Sequence, residues 1–139
     1  MSQARVDRIL ETALDVDDVP RSMAFYDRLF GFKKMVYDAR FCAYDAGSGS
    51  VFLLFKKGGS LQPIPFPGGI IPPHGGSGQM HMAFAIPADS LELWAEKLKE
   101  CGVEIESTVK WEEGGTSLYF RDPDGHAIEL ATPGVWENY

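Results

Sequence analysis

From Arg8 to Val16 polar and apolar positions alternate: Leu10, Thr12, Leu14 and Val16 share one face, and Ile9, Glu11, Ala13 and Asp15 the other. A period of two predicts a strand. Asp17 and Asp18 follow as N-cap candidates and Pro20 as a first-turn residue. Met23, Phe25, Tyr26, Leu29 and Phe30 then recur at helical spacing until Gly31, a residue suited to a C-cap. Three short strands are expected next, at 33–37, 41–45 and 51–56, with a turn at Gly47–Gly49.

The order then repeats. From Gln79 to Ile86, Met80, Met82, Phe84 and Ile86 alternate with Gln79, His81, Ala83 and Ala85. Pro87–Ser90 open a helix whose apolar residues are Leu91, Leu93, Trp94 and Leu98, and Gly102 ends it. Strands are expected at 103–107, 116–121 and 126–131, the last two joined by the turn sequence Asp122-Pro123-Asp124-Gly125. Glu11 precedes Val16 by five residues, as His81 precedes Ile86. The chain therefore reads as a duplicated β-α-β-β-β unit: module 1 at about 8–57, a loop at about 58–77, and module 2 at about 78–133. Residues 57–78 hold seven of the 15 glycines and five of the nine prolines, and show no periodicity of their own. So long a connection suggests a lid or binding loop.

Composition narrows the function classes. With 139 residues, one domain is expected. Thirteen basic residues against twenty acidic ones give a net charge of −7, and no basic patch offsets it, which speaks against nucleic acid and anionic membrane surfaces as partners. The longest aliphatic or aromatic run, Val51–Phe55, is far short of the ~20 residues of a membrane span. The first ten residues lack the apolar core of a signal peptide, so a cytoplasmic location is expected, with Cys42 and Cys101 as free thiols.

Three polar residues stand on strand faces with alanine two residues away: Glu11 beside Ala13, His81 beside Ala83, and Glu129 between Ala127 and Ala131. Small neighbours leave room around a polar group, as the floor of a cavity requires. A carboxylate removed from water costs several kcal/mol unless it is paired or bound to a cation. Two Glu and a neutral His carry a charge of −2 that a divalent ion cancels, and three protein ligands leave coordination positions open for chemistry. O/N/O ligation suits Mn, Fe, Co, Ni or Zn alike. The same residues also admit plain readings: Glu11 as a solvated strand residue, Glu129 as the partner of Arg40, Lys110 or Arg121, and His81 as a hydrogen-bonded structural residue.

At these positions the sequence resembles the vicinal oxygen chelate superfamily. That group includes glyoxalase I, fosfomycin-resistance transferases, methylmalonyl-CoA epimerase, extradiol dioxygenases and bleomycin-binding proteins. The resemblance spans residues 8–133 and is carried by L-D-V-D-D-V-P-R-S-M-A-F-Y-D-R-L-F-G-F, M-H-M-A-F-A-I and L-Y-F-R-D-P-D-G-H-A-I-E-L. It implies an α+β fold of two paired βαβββ modules forming an incompletely closed mixed β-barrel around a cavity, and a homodimer. It also places the metal ligands on Glu11, His81 and Glu129. Glu11 departs from the usual His or Gln, and Leu53 falls where glyoxalase-like members carry a fourth ligand.

The expected function is a metal-dependent glyoxalase- or dioxygenase-like enzyme that chelates a small substrate through vicinal oxygens, by lyase, isomerase, transferase or ring-cleavage chemistry. Glu129 or Glu11 would act as general base, and Tyr119 would reach a bound substrate from the face it shares with Ser117 and Arg121. Arg121, and His74 on the loop, are expected to contact that substrate. His126 alternates with Ile128 and should point away from Glu129, and Trp136 lies in a tail expected to dock on a partner subunit. The alternatives are a metal-free protein of the bleomycin-resistance type that binds a drug or metabolite, and a dimerisation module without chemistry.

Overall fold

The computed structural model describes residues 3–139. The chain divides after Ser77 into two compact units. The first contains β1 (Glu11–Val16), α1 (Val19–Phe30), β2 (Lys33–Tyr37), β3 (Phe41–Gly47) and β4 (Ser50–Lys56), arranged in the order β1-β4-β3-β2. β1 runs parallel to β4, and the other pairs are antiparallel. Asp18 caps α1 by accepting the Arg21 N–H at 3.0 Å, while Gly31, at φ +64°, ends it in the left-handed region. Asp17 instead pairs with Lys57. The core of this unit is the sheet face bearing Leu14, Val16, Cys42, Tyr44, Phe52 and Leu54, together with Val19, Tyr26 and Leu29 of the helix. Each large side chain buried there contributes about 1.5–3 kcal/mol. Tyr26 meets Phe52 edge-on at 4.8 Å.

The Gly/Pro connection has more order than its sequence suggests. β5 (Ile64–Phe66) and β6 (Gly69–Ile71) form a two-stranded ribbon. Pro65 lies within it opposite Ile70; a strand with a single partner tolerates the missing N–H on its free side. The segment belongs to the first unit, where His74 donates its N–H to the Ser60 carbonyl at 2.9 Å.

The second unit contains β7 (His81–Ala85), a 3-10 turn at Ala88–Ser90, α2 (Leu91–Glu100), β8 (Ser107–Lys110), β9 (Thr116–Arg121) and β10 (Ala127–Ala131). Its sheet order, β7-β10-β9-β8, repeats that of the first unit, with β7 parallel to β10. Met82, Leu118, Phe120, Ile128 and Leu130 form its buried sheet face, and Leu98 of α2 is fully buried. Leu93, expected on the apolar face of the helix, is 67% exposed because it falls outside the 91, 94, 98 stripe. The strand after α2 starts at Ser107 and not at Val103. The Val103 N–H goes to the Leu98 carbonyl at 2.8 Å and closes the helix, so 103–105 are its exit, and pairing with β9 begins at Glu106. After β10 the chain folds back on its own unit. The Tyr139 hydroxyl donates to the Ala131 and Ile86 carbonyls at 2.9 and 3.1 Å, while Trp136 is exposed. Among the described residues, no helix is long and apolar enough to cross a membrane.

Candidate metal centre

In the second unit the sheet face opposite the core carries His81, Ala83, Ala127, Glu129, Ser117 and Tyr119. Register places Ala127 beside His81, and Glu129 between Ala83 and Tyr119. The His81 Nδ1 lies 2.8 Å from the Ala127 carbonyl oxygen, which can only accept, so Nδ1 carries the proton. In the neutral ring Nε2 then presents a lone pair. It faces Glu129 Oε1 at 3.2 Å, another acceptor. Two acceptors at that distance repel unless a proton or a cation stands between them. An imidazole nitrogen and a carboxylate oxygen held this close are a donor set that would suit a divalent ion.

Burial sharpens the point. The Glu129 side chain is 8% exposed and that of His81 54%, so the carboxylate is held inside while the imidazole lies open to an arriving ion or reactant. The second carboxylate oxygen, Oε2, accepts a 2.5 Å hydrogen bond from Ser117. Tyr119 stacks beside His81 with centroids 6.2 Å apart. Burial raises the pKa of its phenol above the usual value, and the charge of Glu129 and a hydrogen bond to it add to the effect, so Tyr119 is a proton donor throughout the neutral range.

The repeated register shows what the first unit offers in return. Glu11 pairs with Val51 as His81 pairs with Ala127, and Leu53 lies between Ala13 and Ala43 as Glu129 lies between Ala83 and Tyr119. Phe41 occupies the place of Ser117. This half thus carries Glu11, with Asp45 across Val51 and Asp15 farther along β1, on a face that also bears Ala13, Leu53, Ala43 and Phe41. Leu53, buried and without a donor atom, stands where the second unit has its carboxylate.

Of the residues singled out from the sequence, the structure brings together His81, Glu129 and Tyr119. Glu11 and His74 belong to the other unit, where His74 meets the Phe55 ring edge-on at 4.6 Å. Arg121 shares the face of Tyr119 but is engaged along its whole guanidinium: Nε and Nη2 bond Glu106 at 3.2 and 3.0 Å, and Nη1 bonds the Gly125 carbonyl at 3.0 Å. A second group of metal-type ligands, Asp122, Asp124 and His126, brings its ligand atoms within 4.8 Å of one another. Asp122 Oδ1 accepts the N–H groups of Asp124 and His126, which closes the turn. His126 Nδ1 accepts the Met80 N–H at 2.8 Å, leaving the proton of the neutral ring on Nε2. That histidine is buried, offers an ion no free lone pair, and joins the turn to the start of β7, as its alternation with Ile128 anticipates. What the sequence did not reveal is the support of Glu129 by Ser117 and, behind it, Trp111. The one local signal was Ser117 itself, a polar residue in the row 117, 119, 121.

The family model of the Glyoxalase/Bleomycin resistance protein/Dioxygenase superfamily matches residues 8–130. The chain belongs to this superfamily. Among its relatives, a metallothiol transferase FosB of Bacillus licheniformis is 30% identical over 123 residues, covering 88% of this chain and 73% of the relative. A glutathione transferase FosA of Serratia marcescens is 40% identical over 121 residues, covering 84% and 74%. The superfamily fold is seen directly in the lactoylglutathione lyase structure from Agrobacterium tumefaciens, which superposes with a TM-score of 0.87 at 27% identity and covers 96% of this chain and 99% of its own.

Proposed function

We propose that the protein is a metal-dependent enzyme in which His81 Nε2 and Glu129 Oε1 hold a divalent ion and a small substrate is bound through two adjacent oxygens. The observation that carries this reading is the approach of His81 Nε2 to Oε1 of a largely buried carboxylate at 3.2 Å. Glu11 is the proposed third ligand, on its place in the sequence pattern and its equivalence to His81. When bound, the ion supplies a Lewis acid for oxyanion charge developing on the substrate. Glu129 keeps its orientation through Ser117. The protonated Tyr119 hydroxyl, on the same face, donates to a substrate oxygen. Glu129 or Glu11 accepts a proton where the reaction releases one. The metallothiol transferase, the glutathione transferase and the lactoylglutathione lyase described above share a thiol component in their names, and this favours a low-molecular-weight thiol or its adduct as one reactant. N/O ligation suits Mn, Fe, Co, Ni and Zn. The superfamily resemblance supports a homodimer.

Leu53 favours a second reading, a metal-free binding protein, because it removes one family ligand position from the first unit. Titration of metal-free protein with Mn, Fe(II), Co, Ni and Zn, followed by elemental analysis after desalting, separates the two. One ion per chain, lost in His81→Ala and Glu129→Gln, is the expected result. No uptake of any of the five would leave the metal-free reading.

A further inference from the structure

Ser117 is fully buried on β9. Its ladder partner is Ala131, so it reaches Glu129 on the diagonal, two residues away along β10. Its Oγ donates to Glu129 Oε2 at 2.5 Å and accepts the Trp111 indole N–H at 2.8 Å. An indole N–H can only donate and a hydroxyl has one proton, so the two bonds run in one direction, from Trp111 through Ser117 to Glu129. Trp111 is in turn seated by the β8–β9 turn. Its N–H bonds the Gly115 carbonyl at 2.8 Å, and its carbonyl accepts the Gly114 N–H at 3.0 Å. That turn lies against the C-terminal segment, where a Cβ on Gly115 would stand 2.6 Å from the carbonyl carbon of Gly134.

We infer that Ser117, oriented by Trp111, is a positioning residue that makes Glu129 a single-oxygen metal ligand. The inference rests on the metal-dependent reading above. A carboxylate free to rotate offers an ion either oxygen or both. Here the hydrogen bond holds Oε2, and Oε1 is left as the oxygen that faces His81 Nε2. The Ser117 dipole also offsets part of the cost of keeping a negative charge buried. Partners of this kind, which touch a ligand and not the ion, typically alter metal affinity by about 10–100-fold.

Cobalt(II) titration of the full chain, read by its visible absorption bands, tests this. Ser117→Ala is expected to weaken cobalt binding about 10–100-fold and to change the bands, because Glu129 is freed to bind differently. Ser117→Thr, which keeps the hydroxyl, should restore both to near wild type. Trp111→Phe should weaken binding several-fold, and Glu129→Gln should abolish it. Melting curves of the metal-free variants establish that they are folded, and if Ser117→Ala is not, Trp111→Phe decides. Wild-type affinity and spectrum in Ser117→Ala and Trp111→Phe, with binding lost in Glu129→Gln, would overturn the inference and leave the metal centre standing. A wild-type protein that gives no cobalt bands would overturn both.

Discussion

Glu129→Gln should stabilise the metal-free protein and remove its response to metal. With the His81 ring neutral, the wild-type protein holds Glu129 Oε1 against the Nε2 lone pair at 3.2 Å. In the variant, the amide oxygen accepts from Ser117, and the amide nitrogen donates to Nε2. A repulsive contact becomes a hydrogen bond worth about 0.5–1.5 kcal/mol, and a buried charge is removed. Against this, the Ser117 bond loses its charged acceptor, about 1 kcal/mol. The net gain is about 1 kcal/mol, or about 3 °C in melting temperature for a chain of this length. An ion at a hundred times its dissociation constant stabilises the wild type by about 2.7 kcal/mol, close to 9 °C, and the variant not at all. Calorimetric melts of both proteins, with and without the ion, therefore differ in opposite directions. A variant melting several degrees below wild type, with ions raising both proteins alike, would refute the reasoning. Glu129 would then be an ordinary structural partner of a protonated His81.

Three further outcomes follow from other parts of the fold. Glu11→Ala, at an exposed strand start, should change stability by less than about 0.5 kcal/mol yet lower metal affinity tenfold or more in the same titration; unchanged affinity would remove Glu11 from the ligand set. Tyr44 donates to Asp27 Oδ1 at 2.8 Å, with Lys34 on the other carboxylate oxygen, so Tyr44→Phe should cost about 1–2 kcal/mol. Burial, foremost, raises the pKa of Tyr44, Tyr119 and Tyr139 above the usual 10.0. The stability they contribute is therefore complete below pH 10 and lost as pH climbs toward their folded values. Circular-dichroism melts should decline above pH 10, and decline less in Tyr44→Phe; melting temperatures flat to pH 11 would contradict this.

The repeat is legible in the sequence because each boundary has a local cause: alternation for the strands, Asp18 and Gly31 for the first helix, Gly102 after the second. Where the reading failed, a backbone bond settled the matter. Val103 and Ile105 alternate like a strand, yet the Val103 N–H is needed at the end of α2. Pro65 and Pro67 hide the β5–β6 ribbon, since neither alternates with its neighbours in hydrophobicity. The convergence of His81, Glu129 and Tyr119 is visible from alternation alone once β7, β9 and β10 are neighbours. The bonds holding Glu129 are not, because Ser117 reaches it on a diagonal and Trp111 arrives from a turn. No linear spacing joins 111, 117 and 129.

The two halves share a frame and differ in what they can support. Where the second unit has Glu129, flanked by Tyr119 and reached by Ser117, the first has Leu53, flanked by Ala43, with Phe41 in the serine position. The carboxylate and its hydrogen-bond donors are thus absent together. Leu53→Glu alone would place a negative charge at a position only 5% exposed in the present structure, beside Ala13 and Ala43, neither of which has a side-chain donor. An unpaired buried charge of that kind costs several kcal/mol. The variant is expected to lower the melting temperature by more than 10 °C and to add no metal stoichiometry. Combining it with Phe41→Ser, which returns a hydroxyl to the diagonal position, should recover part of the loss. A stable single variant that binds a further ion would show that the supporting donors are dispensable, and the account of Glu129 given by its neighbours would fall with it.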